Sequence, residues 1–188
     1  QVDQDLVRTI AELVNQQNYV ITVKARDQAG NNSAASNQVS GQPLINGLPW
    51  KYYNGISTAQ TVIPNYTTMV PVSTGVSPTV TLTPATDAQY FGFLWDGYID
   101  IPTTGSYTIE TTSDDGSDLW LGALNGVGSP YNPTGTPTVK NDGLHSSASK
   151  NSGTLHLTAG VYPIAISYFN ETGGGSISLS WKTPSKPK

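Results

Sequence analysis

The chain has no cysteine and a single methionine. Disulfides, thiolate metal sites and cysteine nucleophiles are therefore excluded. Charge is also scarce: Asp, Glu, Lys and Arg make up 12% of the 188 residues, against about 25% in an ordinary globular domain. The six basic residues after Gly41 stand singly, so there is no basic stripe for nucleic acid. No apolar run approaches the ~18 residues of a membrane-spanning helix, and none of the segments calls for membrane insertion. Two histidines, His145 and His156, limit acid–base chemistry. No serine sits in a nucleophile elbow, and no glycine-rich loop leads into Lys-Ser/Thr. The composition points away from an enzyme.

What is abundant is glycine, proline, serine, threonine and tyrosine, a set that suits β-sheet surfaces and turns. In "YFGFLWDGYIDI", Phe91, Phe93, Trp95, Ile99 and Ile101 alternate onto one face. "GSYTIETT" turns Tyr107 and Ile109 inward, and "GTLHLTAGVYPIAISYF" reads as two strands about a Thr158–Gly160 turn. "SISLSW" closes the pattern with Ile177, Leu179 and Trp181. No long stretch keeps a helical period. The reading is all-β, an antiparallel sandwich or barrel. Residues 122–150, rich in Gly, Pro, Ser and Asn, read as a long loop, either functional or merely connecting.

Residues 1–41 differ from the rest. "NYVITVKARDQAGNNSAASNQVS", with Leu13 six positions before Tyr19, resembles the last strands of a fibronectin type III domain and its tyrosine corner. Such a sandwich needs ~90–100 residues, so this segment is expected to be the end of a neighbouring module in a longer multidomain chain. An amphipathic helix over residues 6–14 is the alternative. The Pro/Gly-containing stretch 42–48 reads as a linker, residues 49–183 as the main domain and 184–188 as a tail.

The stretch "TTSDDGSDLWLG" places Asp114, Asp115 and Asp118 within five residues. By itself Asp-Asp-Gly is an ordinary turn. Its context is more specific: an aromatic strand with Trp95-Asp96-Gly97, then "GSYTI", "SDDG" and "LWL", followed by "VKNDGLHSS" and by "SGTLHLTAGVYPIAISYFNETGGGSISLSW". This order resembles the protective-antigen-type 14-kilodalton domain (PA-fourteen domain). The resemblance implies a β-sandwich. It also implies, in the sugar-binding branch found in yeast flocculins and bacterial adhesins, a calcium ion held by the paired aspartates, usually joined by a cis peptide.

Carried over residue by residue, Asp114 and Asp115 match the acid pair, Asn170 the asparagine, and Thr172 and Gly174 the carbonyl donors. Asp118 and Asp142 are candidates for a second metal or for the rim. Gly173, Lys140, Asn141, His145 and Trp120 join the acid pair and Asn170 as candidate sugar contacts, Trp120 by stacking. Trp95 and Trp181 are expected in the core, and His156 on a solvent face. Two carboxylates, one amide and two carbonyls make five oxygens, where calcium takes about six to eight; a vicinal diol would supply two more. The expectation is a calcium-dependent lectin module of a bacterial cell-surface adhesin, binding glycans of host or microbial surfaces. The alternatives are a structural or protein-interaction domain stiffened by calcium, and a non-catalytic insert of a glycosidase. The sequon Asn170-Glu171-Thr172 would place a glycan on the proposed site in a eukaryotic secretory pathway, so either the source is bacterial, as the fibronectin-like segment also suggests, or Asn170 is not a ligand.

Overall fold

A computed structural model describes Ile10 and residues 19–41 and 47–184. The chain divides into two compact units, Gln1–Ile45 and Asn46–Lys188. In the first, β1 (Tyr19–Ile21) pairs antiparallel with β2 (Val39–Gly41). Beyond β1 the ladder is continued partly by side chains, because Ser36 Oγ and Ser33 Oγ accept from the Val23 and Ala25 amides. Asp27 closes the turn by accepting from the Asn31 amide and side chain, and these bonds hold its carboxyl below the usual carboxylate range. Leu13, the proposed partner of Tyr19 in a tyrosine corner, and the alternative helix over residues 6–14 lie outside the described residues, as does most of the expected linker.

The second unit is built of antiparallel strands with one short 3-10 turn at Tyr66–Thr68. Its strands are β3 (Leu48–Tyr53), β4 (Ser73–Ser77), β5 (Phe91–Ile101), β6 (Gly105–Asp114), β7 (Ser117–Leu121), β8 (Val139–Asn141), β9 (Ala148–Asn151), β10 (Leu155–Leu157), β11 (Gly160–Asn170) and β12 (Ser176–Lys182). One sheet runs β4-β3-β5-β11-β7-β8; in the other, β6 lies between β12 and the short strands β10 and β9.

The period-2 pattern explains the core. Phe93 stacks on Trp95 at 4.9 Å, and both pack with Tyr52, Ile109, Leu119, Ile164, Ile166 and Tyr168 between the sheets. Each such side chain contributes about 1.5–3 kcal/mol through burial. β5 and β11 are central strands, so their other faces are buried too: Tyr53, Tyr66 and Leu94 form a second cluster outside the large sheet. Tyr66 reaches across Gly92, its hydroxyl donating to the Tyr168 carbonyl at 2.5 Å. A Cβ at position 92 would collide with that hydroxyl.

The strands β10 and β11 flank the Thr158–Gly160 turn as expected, in different sheets, whereas the readings of 122–150 as a loop and of Trp181 as core need correction. Gly160 (φ +139) swings the chain across, and the Tyr162 hydroxyl bonds both the amide and the carbonyl of Thr158. The expected loop 122–150 contains β8 and β9. Trp181 lies on the outer strand β12, 40% exposed and tilted against Tyr107, because no further strand covers it.

Candidate functional site

The chain crosses from the small sheet to the large one between β6 and β7, and crosses back between β11 and β12. These crossings lie side by side, since Ser176 at the start of β12 pairs with Asp114 and Tyr168 pairs with Ser117. Asp114 and Asp115 occupy the first crossing, and Asn170 opens the second.

Gly116 makes the first crossing possible. A Cβ there would stand 2.6 Å from the Phe169 ring and 2.9 Å from the Gly143 amide nitrogen. Its carbonyl accepts from the Phe169 amide at 3.0 Å, which ties the turn to β11. The Asp114–Asp115 peptide is cis. The Asp114 carbonyl accepts from the Tyr168 hydroxyl at 2.6 Å. Burial first, then the charges of Asp115 and Asp114, push the Tyr168 phenol well above its ordinary range, so it stays a neutral donor.

Asp115 is buried and held at both oxygens. Oδ1 accepts from the His145 amide at 3.1 Å and Oδ2 from the Glu171 amide at 3.0 Å. A carboxylate has about four acceptor sites, so two remain for another ligand. Asn170 is fully buried; its Nδ2 donates to the Ala88 carbonyl at 3.2 Å, while Oδ1 has no hydrogen-bond partner. The acceptor at Ala88 settles the orientation of the amide, since only the NH2 end can donate to it. A buried acceptor left unpaired costs about 1–3 kcal/mol. Gly175 passes directly over this amide: a Cβ there would meet the Tyr168 hydroxyl and come within 3.1 Å of Asn170 Oδ1. Thr172, Gly173 and Gly174 form an exposed tip, with Gly173 at φ +83.

The side-chain donors at the two crossings are carboxylate and amide oxygens, hard ligands of the kind calcium takes. Among the described residues no group of three or more His, Cys, Asp or Glu side chains is placed to hold a metal ion. Asn170 Oδ1 is the observation that fits a cation here, because a metal would occupy an acceptor that the fold leaves empty.

The remaining candidates fall elsewhere. Asp118 is buried, accepts from the Asn141 amide at 3.1 Å, and is pushed up to about 7 by burial and then by the charge of Asp142, opposed by the Asn141 bond and Lys140. Asp142 Oδ1 accepts from the Ile63 amide at 2.7 Å and the Gly143 amide at 2.8 Å, so it serves to fasten loops. Lys140 is exposed on β8.

Three sugar-contact expectations do not hold. Asn141 is buried, its amide donating to Ser113 Oγ and the Ala148 carbonyl, so it braces β8 against β9. Trp120 is 7% exposed and meets the Tyr131 ring edge-on at 5.0 Å, leaving no open face for stacking. The His145 ring nitrogens face the Ser146 and Asn141 carbonyls at 2.9 Å each, so the residue contributes its amide to Asp115 and its ring is already engaged. His156 is exposed, with Nδ1 beside Ser106 Oγ. The sequence reading missed Tyr168, Ala88, the Glu171 amide and the two crowded glycines. Only Gly116 and Gly175, beside the acid pair and in the Gly173–Gly175 run, left a signal.

The PA14 domain family matches residues 45–188. No curated protein matches the chain. Among solved structures, the Epithelial Adhesin 6 A domain from Candida glabrata, in complex with Galb1-3GlcNAc, is 22% identical with a TM-score of 0.57, covering 79% of this chain and 84% of that one. The PA14 domain of the MpAFP antifreeze protein is 15% identical with a TM-score of 0.55, covering 82% and 90%. An anti-sigma factor domain-containing protein from Clostridium clariflavum is 17% identical with a TM-score of 0.54, covering 82% and 56%. At these identities the likeness is one of fold.

Proposed function

Because the chain belongs to the PA14 domain family, we infer that its second unit is a non-catalytic carbohydrate-binding module that takes its ligand through a calcium ion. The observation that carries this reading is the buried, unpartnered Oδ1 of Asn170 at the crossing that lies beside the Asp114–Asp115 pair. Asp114, Asp115 and Asn170 Oδ1 would hold the ion, with the Thr172 and Gly174 carbonyls as further donors. Calcium bound there would offer its remaining coordination positions to two adjacent sugar hydroxyls.

The chain's own residues do the preparatory work. The His145 and Glu171 amides hold the Asp115 carboxylate, Ala88 orients the Asn170 amide, and Tyr168 fixes the Asp114 main chain. Two carboxylates gripping one ion cannot flank a glycosidic bond from opposite sides at ~5–9.5 Å, so the site binds and does not hydrolyse. The solved adhesin domain with bound Galb1-3GlcNAc supports glycans as the ligand class. A site that exchanges bound water for two sugar hydroxyls would bind weakly, and strong attachment would come from many copies on one surface. Such a module suits an extracellular bacterial adhesin with further modules in the chain. A glycan array run in calcium and in chelator tests the reading. Binding confined to the calcium arm supports it, and binding that survives the chelator overturns it.

A further inference from the structure

Two non-glycine residues among those described have a left-handed backbone, Asn125 at φ 54 and Tyr90 at φ 57. Asparagine tolerates that region, whereas a bulky aromatic is an outlier there. Tyr90 immediately precedes β5, whose first residue, Phe91, is the register partner of Asn170. Its amide donates to the Glu171 carbonyl at 2.8 Å, and its carbonyl accepts from the Ile56 amide at 3.0 Å. Two residues earlier, Ala88 presents the carbonyl that receives Asn170 Nδ2.

The bend at Tyr90 thus serves both halves of the proposed site. It brings Ala88 to the Asn170 amide, which leaves Oδ1 as the free end. It also holds the carbonyl of Glu171, the residue whose own amide grips Asp115 Oδ2. The Tyr90 side chain is partly buried, and its ring makes no hydrogen bond or aromatic-ring contact among the described residues.

Building on the calcium reading, we propose that Tyr90 is a positioning residue: its left-handed backbone, not its ring, aims the Asn170 amide oxygen at the cation site. Glycine and asparagine accept this conformation, alanine resists it and a β-branched residue resists it most. The test uses Tyr90→Gly, Tyr90→Asn, Tyr90→Ala and Tyr90→Val in the full chain, with two readouts. The first is the calcium dissociation constant by calorimetry without sugar. The second is the Asn170 side-chain amide in calcium-free protein by nitrogen-15 NMR, where the bond to Ala88 slows proton exchange.

The glycine and asparagine variants should bind calcium within about twofold of the wild type and keep the protected amide. Tyr90→Val should bind roughly tenfold more weakly and lose the protection, with Tyr90→Ala between them. If Tyr90→Val fails to fold, the Gly–Ala difference carries the comparison. Equal losses in the glycine and alanine variants would show that the ring matters and overturn the proposal, as would calcium affinity and amide protection unchanged across the series. Should the wild type bind no calcium, the calcium reading fails separately. The NMR series in calcium-free protein would still decide what Tyr90 does.

Discussion

Asn170→Leu separates a calcium ligand from a structural asparagine, and its effect can be worked from the contacts. Without calcium, the wild type carries a buried Oδ1 with no partner, a burden of about 1–3 kcal/mol. Leucine of similar volume removes that burden. It also removes the Nδ2 bond to Ala88, worth about 0.5–1.5 kcal/mol, and leaves that carbonyl unpaired. The two effects nearly cancel, so in chelator the variant should melt within a few degrees of the wild type.

In calcium the balance changes. An ion at a hundred times its dissociation constant stabilises the wild type by about 2.7 kcal/mol, or roughly 5–11 °C at about 2–4 °C per kcal/mol for a unit of this size. The variant lacks a ligand and should gain little. Differential scanning calorimetry of both proteins in calcium and in chelator reads the four melting temperatures. A wild type raised by calcium beside an unresponsive variant supports the reasoning. If Asn170→Leu lowers the melting temperature equally in both buffers, Asn170 is structural and the reasoning is refuted.

Two further outcomes follow from the packing. Asp118 titrates at about 7 when folded, above its unfolded value, so folding loses stability as pH rises from about 4 to 7 and the loss is complete above that. Asp118→Asn should therefore be more stable than the wild type at pH 8, by roughly 2–4 kcal/mol, with the gap closing near pH 4 in urea titrations; a gap independent of pH would show that Asp118 is not the titrating group. Gly116→Ala would force a Cβ to 2.6 Å from the Phe169 ring and 2.9–3.0 Å from Gly143 backbone atoms that cannot rotate away. It should cost about 1–3 kcal/mol and weaken calcium binding, and unchanged calorimetric affinity and melting would contradict the crossing as described.

The parts of this molecule that sequence revealed are those governed by period and by local chemistry. The alternation of Phe91, Phe93 and Trp95 marks a buried strand wherever it lies, and the paired aspartates beside a glycine mark a crowded turn. Long-range pairing was not legible in the same way. Leu155–Leu157 and Gly160–Asn170 look like a hairpin because they are adjacent and both apolar, yet their partners are β6 in one sheet and β5 and β7 in the other. Trp120 and Trp181 illustrate the same limit in opposite directions. Trp120, two positions from Asp118, is covered by Tyr131 from the irregular segment that follows β7, while Trp181 keeps an inward alternation but sits on an uncovered edge. At the candidate site, the acid pair and Asn170 were expected from the family resemblance, and the structure sets their two crossings side by side. The amides of His145 and Glu171 and the carbonyl of Ala88 could not be named from sequence, since any residue type supplies them and only the fold places them.

The central claim is that the crossings at Asp114–Asp115 and Asn170 hold a calcium ion with positions left for a sugar. A crystal structure of the chain grown with calcium and soaked with simple sugars tests it most directly. The expected result is an ion coordinated by Asp114, Asp115 and Asn170 Oδ1, with two vicinal hydroxyls of the sugar completing its shell. An ion saturated by protein oxygens alone, or sugar bound away from these crossings, would contradict it.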